Sequence, residues 1–559
     1  MRVVIIGGVA TGPKVAARLR RLRQDAEIVI IEQGNLISYG GCGLPLYLGN
    51  MVPEMDELMR TSTGVLRDRE YFLKYKGIDV VTATRAESIE RDKKRVSLRS
   101  LTTGEEWSLD YDYLVLATGA RPFLPPLPGT GLEGVFPLHH PDDAAAIRQL
   151  VRQKQVKNVT IIGAGLIGLE VADALSHARV NVTVCESEGQ VLPRLLDSDM
   201  APLVAREMKK RHVVLRLGCL VTELEDDGKG RVSGVRSRDE RWDADLVIMS
   251  VGVRPNVRLA EEAGLSLGVA GAIRVDEHLQ TDDPYIYAAG DCAEQKHRLT
   301  GKPVFIPLAS TAAKQGRVIA DRLAGLDSSF AGVEGTSVMQ AFDLNVGRTG
   351  LSEEEAVKAG YDCVALVASG YDSTHYYALH AGIVLKLVAE RTSGKLLGAQ
   401  VCGLGDGIKR LDVLATAMSF GATARDLADL DLGYAPPFAT AVDTVIQASY
   451  ALENKRTGRV HSISARVLRG LIREGTGPLV LDVREQDEVD ADPLQVPNVI
   501  HMPLSRLRET YRDLPVSSGL VTVCGLGIRA YEAACFLQSK VKGDISFMEG
   551  GMAVWQAFA

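Results

Sequence analysis

The sequence predicts an α/β protein made of several units, and three observations predict it. A short apolar strand, a glycine turn, a helical pattern and a second strand ending in an acid occur twice. Further apolar strands that end in glycine turns lie between and after the two copies. The C-terminal stretch alternates short strands with helical patterns of its own. The chain has 559 residues, and at about 150 residues per domain that length calls for roughly three to five domains.

The first copy opens the chain. Val3-Val4-Ile5-Ile6 runs into Gly7, Gly8 and Gly12, a helical pattern continues through Val15, Ala16, Leu19 and Leu22, and Ile28-Val29-Ile30-Ile31 ends at Glu32. In the second copy Asn158–Ile162 leads to Gly163, Gly165 and Gly168. A helical pattern through Leu169, Val171, Ala172 and Leu175 follows, and Val182-Thr183-Val184-Cys185 ends at Glu186. This is the βαβ dinucleotide fingerprint. Its glycines permit a tight turn and close approach of backbone N–H groups to a pyrophosphate, and the helix N-terminus adds positive dipole. The acid about 20 residues on accepts from a ribose hydroxyl. The second copy has all three glycines of GxGxxG, whereas the first has Val9 at the middle position.

Between and after the copies, Tyr113–Leu116 leads into Thr118, Gly119 and Arg121, and Ile286-Tyr287-Ala288 leads into Gly290-Asp291-Cys292. Asp291, at a strand end, is placed to meet a polar cofactor chain. Beyond residue 325 or so the texture changes. A strand at Ile383–Val388 precedes a helical pattern through Ile408, Leu411, Leu414, Ala415 and Met418, and then comes Leu432–Phe438. Arg456-Thr457-Gly458-Arg459 reads as a polar linker to a last unit that begins near Val460. There Pro478–Arg484 and Leu520–Val523 are strands, and the second runs into Cys524-Gly525-Leu526-Gly527-Ile528-Arg529 and a helical pattern through Ala530, Ala533, Ala534 and Leu537.

Composition excludes several classes. Hydrophobic residues at 46% and charged residues at 24% rule out wholesale disorder. A net charge of -7 lacks the basic excess of a nucleic-acid binder. The apolar run at residues 3–6 is too short for a signal segment, and no run approaches the ~18–20 residues of a membrane span. A cytoplasmic setting is expected. Eight cysteines are too dilute for a disulfide scaffold, and no metal cluster is expected.

Cys42 sits in Ser38-Tyr39-Gly40-Gly41-Cys42-Gly43-Leu44-Pro45, just after the first acid, with no CxxC partner. It must work alone, as a thiolate that forms a mixed disulfide, a persulfide or an oxidised oxygen form. Gly7 to Gly12, Glu32, Cys42-Gly43-Leu44-Pro45, Ala117-Thr118-Gly119 and Gly290-Asp291 together resemble the single-cysteine pyridine-nucleotide–disulfide oxidoreductases. Within that family the similarity is to coenzyme A-disulfide reductases and NADH-dependent persulfide or polysulfide reductases. The resemblance spans residues 1 to about 450.

It implies a glutathione-reductase-like arrangement: an FAD-binding domain at 1–149 and 276–325, an NAD(P)H-binding domain at 150–275 and an α+β dimerisation domain at 326–452. It assigns Gly7, Gly8, Gly12, Glu32, Thr118, Gly119, Arg121, Gly290 and Asp291 to FAD, and Gly163, Gly165, Gly168, Glu186 and Gly252 to the nicotinamide nucleotide. It assigns Lys14, Arg18, Arg21, Ser38 and Lys76 to coenzyme A, whose phosphates suit Lys and Arg. It also implies a homodimer in which Tyr376 and Tyr434 reach the partner's active site, where a phenol can donate a proton to sulfur. Two departures stand out. The family commonly reads Tyr-Tyr-Pro-Gly where this chain has Tyr376-Tyr377-Ala378-Leu379, and it has Asn or a similar residue where this chain has Gly41. Glu186 would repel a 2′-phosphate and accept from a free 2′-hydroxyl, so NADH is expected over NADPH.

In the last unit a cysteine between strand and helix faces backbone N–H groups, and the helix dipole and Arg529 favour its thiolate and a bound anion. Cys524–Arg529, Leu481-Asp482-Val483-Arg484 and Gly550–Trp555 resemble an α/β rhodanese domain over residues 460–559. The related phosphatase loop is one residue longer, which argues against phosphate chemistry. The expected protein is therefore an NADH-dependent FAD enzyme that reduces sulfur–sulfur bonds of coenzyme A persulfide, polysulfide or coenzyme A disulfide at Cys42, with Cys524 carrying sulfane sulfur. The alternatives are an NADH oxidase or peroxidase that cycles Cys42 through sulfenic acid, and a sulfur carrier or sensor with vestigial flavin chemistry. The other six cysteines are read as structural.

Overall fold

The computed structural model describes residues 1–515 and 519–558. The chain divides into two compact units, Met1–Cys185 with Cys219–Val333, and Glu186–Gly218 with Glu334–Ala559.

In the first unit a five-stranded parallel sheet runs in the order Ile286–Ala288, Tyr113–Leu116, Arg2–Ile6, Glu27–Ile31, Asp79–Val81. Apart from Arg2, Glu27 and Asp79 at their first positions, its strands carry no charged residue, because both faces are covered. Val3, Ile5, Ile28 and Ile30 face a cluster containing Val15, Leu19 and Ile319, whereas Val4, Ile6, Val29 and Ile31 face one containing Val96, Leu98 and Leu259. The helix Thr11–Leu22 follows the first glycine turn and lies against the helix Ala309–Leu323. A second parallel set joins Asn181–Glu186, Asn158–Ile162, Leu246–Met249 and Val135–Phe136, with the helix Leu166–Ser176 after its glycine turn. The antiparallel pair Ala120–Pro122 and Val253–Pro255 joins the segment after Gly119 to the segment after Gly252.

The second unit holds a five-stranded antiparallel sheet in the order Ser337–Ala341, Leu344–Gly350, Leu396–Gly403, Gly382–Glu390, Cys363–Tyr371. The helices Gly407–Ser419 and Thr444–Arg456 pack on it. The stretch read as a linker at Arg456–Arg459 begins as the last residue of that second helix. A parallel sheet follows, in the order His461–Ile463, Ile545–Met548, Leu520–Val523, Leu479–Asp482, Val499–His501. Among the described residues no helix is long and apolar enough to cross a membrane.

Candidate active sites

The two glycine turns are built alike. Gly7 has φ +114° and Gly163 has φ +106°, and a Cβ on either would collide with a carbonyl oxygen, that of Ala117 or of Ser250. Gly12 and Gly168 each sit against the carbonyl oxygen of the first glycine of their own turn, so the helix start lies directly on the strand end. Gly119, Gly165 and Gly252 have nothing within 4 Å of a would-be Cβ, and this leaves room in front of the turns. Glu32 is buried. It accepts at 2.7 Å from Gly8 N and at 2.7 Å from Gly34 N, one bond per carboxylate oxygen. Each oxygen keeps a lone pair for a hydroxyl donor. Thr118 Oγ1 donates to Asn256 O at 2.6 Å, and Asn256 Nδ2 donates to Thr118 O at 3.0 Å, which pins the turn before Gly119. Arg121 is exposed on its short strand.

Gly290 N donates to Gln315 Oε1 at 2.8 Å. Gln315 is fully buried, and its Nε2 has no protein partner among the described residues. Burial pushes the neighbouring Asp291 carboxyl up. Cys292, next to Asp291, is fully buried, and its thiol donates to the carbonyls of Leu116 and Ala289. Glu186 closes its strand and is buried, and Oε1 accepts from Glu188 N at 3.0 Å and Ser187 Oγ at 3.1 Å. Open glycine turns, helix N-termini and buried acids at both strand ends fit two dinucleotides.

Cys42 lies in a single helical turn, Gly41–Gly43, that passes directly into the helix Leu44–Leu48, and it is exposed. Burial of its surroundings, then the carboxylates of Glu170 and Asp291, push its thiol up. Burial also holds the Glu170 carboxyl at about 7. The helix carrying Glu170 packs against Leu44–Leu48, with Ala174 touching Gly49 one turn further on. Sequence reading missed Glu170, because an acid in Leu166–Ser176 looks like one polar position on a core helix. The signal was its place within GxGxxGxE, directly behind the turn.

Of the residues assigned to coenzyme A, Lys14, Arg18 and Arg21 share the helix Thr11–Leu22, and Lys14 and Arg21 are exposed. Arg18 is tied to Asp321 at 2.8 Å, so part of its charge is already balanced. Ser38 is buried at φ 52°, and its N–H donates to Gly8 O at 2.9 Å. Lys76 ends the helix Arg69–Lys76, 5.4 Å from the Tyr71 ring centre.

Tyr376 and Tyr434 stand on two loops, 66% and 50% exposed. The two phenols lie close enough to interact, and Tyr376 pushes the Tyr434 phenol up. Thr374 donates to Pro436 O from both N and Oγ1, at 3.2 Å each, and so ties the loops together. Despite the missing Pro-Gly, Tyr376 is not a buried strand residue.

Cys524 is buried at the end of Leu520–Val523. Its sulfur accepts from Gly527 N at 3.1 Å and from Ala530 N at 3.2 Å, and Gly527 stands at φ +99° to turn the loop. Arg529 stands beside the loop, where its charge acts on Cys524, and its guanidinium is also engaged by Glu488 in two bonds of 2.6 Å, which holds the Glu488 carboxyl below its usual range. Glu488 was missed because it lies 41 residues before Arg529 in the chain.

Three family models match the chain: pyridine nucleotide-disulphide oxidoreductase at residues 1–316, its dimerisation domain at 337–446, and a rhodanese-like domain at 464–558. The chain is 38% identical over 452 residues to an NAD(P)H coenzyme A polysulfide/persulfide reductase of Pyrococcus horikoshii, covering 81% of this chain and 98% of that one. Among solved structures it matches an NAD-dependent persulfide reductase from A. fulgidus, with TM-score 0.95, 39% identity, and coverage of 99% and 100% of the two chains. It also matches reduced CoADR-RHD from Bacillus anthracis, with TM-score 0.91, 35% identity, and coverage of 100% and 98%.

Proposed function

The chain belongs to the pyridine nucleotide-disulphide oxidoreductase family, and from that premise we propose that it is a homodimeric, NADH-dependent reductase of sulfur–sulfur bonds in coenzyme A persulfide, polysulfide or coenzyme A disulfide. One observation carries this reading. A lone exposed cysteine behind a dinucleotide fold shares its chain with a second cysteine whose sulfur rests on two backbone N–H groups. The domains follow the division 1–149 with 276–325, 150–275, 326–452 and 460–559, and the setting is cytoplasmic.

FAD and the nicotinamide nucleotide, held by the two glycine turns, Glu32, Asp291 and Glu186, supply an electron pair when bound. The Cys42 thiolate attacks the outer sulfur of R–S–SH. The carbon-bound sulfur leaves as R–S⁻, and Cys42 carries a persulfide. The electron pair then breaks the new S–S bond, returns the Cys42 thiolate and releases HS⁻. Overall, NADH and R–S–SH give NAD⁺, R–SH and HS⁻. Tyr376 of the partner subunit and Tyr434 of the partner subunit donate a proton to the departing thiolate. Lys14, Arg18, Arg21, Ser38 and Lys76 hold the coenzyme A portion. Cys524 carries sulfane sulfur, and fusion to the reductase raises its effective concentration.

The test measures NADH oxidation and sulfide release with coenzyme A persulfide, polysulfide and coenzyme A disulfide. Cys42→Ser is expected to lose sulfur-dependent turnover with every acceptor while still binding flavin. Cys524→Ser is expected to keep reduction of coenzyme A persulfide and lose only transfer from other sulfane donors. Full activity in Cys42→Ser overturns the mechanism. Oxygen- or peroxide-dependent turnover alone would establish the oxidase reading in its place.

A further inference from the structure

We infer that Glu488 is a specificity-determining residue of the Cys524 loop, one that screens Arg529 so that the loop takes sulfane sulfur from thiol-borne persulfides and rejects inorganic thiosulfate. The inference rests on the reading of Cys524 as a sulfur carrier. The loop residues Gly525, Leu526, Gly527 and Ile528 carry no charge, and Arg529 supplies its cation. That cation is closed by Glu488 Oε1 and Oε2, each at 2.6 Å. Oε2 also accepts from Glu485 N at 3.1 Å, which fixes the carboxylate from its own helix Gln486–Ala491. The ion pair borders the loop itself, since a Cβ on Gly525 would lie 3.5 Å from Arg529 Nη2 and 3.7 Å from Glu488 Oε1.

Further charges around the loop do not restore a free cation. Arg484 is buried and bound by Asp482 at 2.7 Å, with Asp492 at 3.8 Å. Glu485 adds another carboxylate and accepts from Ser505 Oγ at 3.1 Å. Two guanidinium groups thus face four carboxylates beside the buried Cys524. The two N–H groups on Cys524 Sγ can hold a persulfide sulfur. Both guanidinium groups described beside the loop already carry carboxylate partners, so the sulfonate group of an arriving thiosulfate dianion must compete with Glu488 for Arg529. A thiol persulfide brings no such group to the sulfur and needs no free cation there.

Both transfers balance. With R–S–SH, the Cys524 thiolate attacks the outer sulfur and becomes Cys–S–SH, and R–S⁻ leaves. With thiosulfate, it gains the outer sulfur and sulfite leaves. Cyanide then removes the sulfur as thiocyanate and regenerates the thiolate.

The experiment uses the full-length holoenzyme and measures thiocyanate formation with glutathione persulfide or thiosulfate as donor. Wild type is expected to favour the persulfide by at least about tenfold in kcat/KM. Glu488→Gln keeps the glutamine that a helix start accepts at this position, and is expected to raise thiosulfate kcat/KM by about tenfold, mainly through KM, with the persulfide value within about threefold. An unchanged donor ratio in Glu488→Gln overturns the inference. A second measurement does not depend on sulfur transfer: alkylation of Cys524 by anionic iodoacetate relative to neutral iodoacetamide, read by peptide mass. The ratio is expected to rise severalfold in Glu488→Gln, and an unchanged ratio overturns the screening. A raised ratio with no thiocyanate from either donor upholds the screening and removes the carrier role of Cys524.

Discussion

Glu170 bears on Cys42 through its charge. Its carboxyl, held by burial at about 7, ionises near neutral pH, and once ionised it opposes formation of the Cys42 thiolate. Burial contributes more to the raised Cys42 thiol than either nearby carboxylate does, so removing Glu170 relieves only part of the shift. Glu170→Gln removes a negative charge, and the thiolate then forms at lower pH. Alkylation of Cys42 by iodoacetamide against pH is expected to shift its midpoint down by about half a unit to one unit, where one unit is about 1.4 kcal/mol. The wild-type curve is expected to be broader than the variant's, because two groups titrate together. A midpoint that stays put, or moves up, rules out the coupling. Cys42 itself was legible, since its glycine-rich context follows a recognisable acid. Glu170 was not, because its influence comes from the packing of Leu166–Ser176 on Leu44–Leu48, which local spacing does not encode.

At the scale of elements, the strand–turn–helix units were legible because backbone sterics or ligand approach calls for each of their glycines. The structure separates two roles that the motif merges. Gly163 is required by the fold: it stands at φ +106°, and a Cβ would collide with Ser250 O. Gly165 caps the helix at φ -81° with nothing within 4 Å of a would-be Cβ, so the fold itself tolerates a methyl there. Gly163→Ala is expected to destabilise the protein by about 1–3 kcal/mol or more, from a strained backbone and a clash. Gly165→Ala is expected to leave Tm almost unchanged and raise the KM for NADH by about tenfold, because the methyl occupies the approach to the pyrophosphate. Thermal melting and steady-state kinetics of the two variants check this, and equal loss of Tm in both would show that Gly165 is structural too. The tyrosine loops were less legible. The chain lacks the usual Pro-Gly after Tyr377, and the contact that ties the two loops runs to the carbonyl of Pro436 from Thr374, which lies outside the matched tyrosine segments.

At the largest scale, the order of folding units could be read from strand texture and motif position, but the joint inside the second unit could not. It depends on Glu549, a buried acid 182 residues from its partner Val367 in the chain. Glu549 accepts from Val367 N at 3.0 Å, Lys455 Nζ at 2.6 Å and Ser462 Oγ at 2.6 Å. Ser369 Oγ donates to Gly550 O at 2.8 Å, and Asn454 Nδ2 donates to Tyr531 OH at 2.9 Å across the same joint. The segment just beyond Glu549 also supports the Cys524 loop, with Met552 N donating to Cys524 O at 2.9 Å and Ala553 N to Gly525 O at 3.1 Å. The rhodanese-like part is therefore clipped to the dimerisation part through residues that also shape its reactive loop. Glu549→Ala would leave the Val367 N–H unpaired and the partly exposed Lys455 ammonium with only Ala365 O, a loss of about 1–3 kcal/mol. Calorimetry is expected to show a separate, lower-temperature transition for the C-terminal part, and limited trypsin digestion is expected to cut near residues 456–459. Thiocyanate formation at Cys524 should fall, while NADH-dependent reduction at Cys42 stays at the wild-type rate. One unsplit transition at the wild-type temperature would mean that other contacts hold the joint and that Glu549 only fills it.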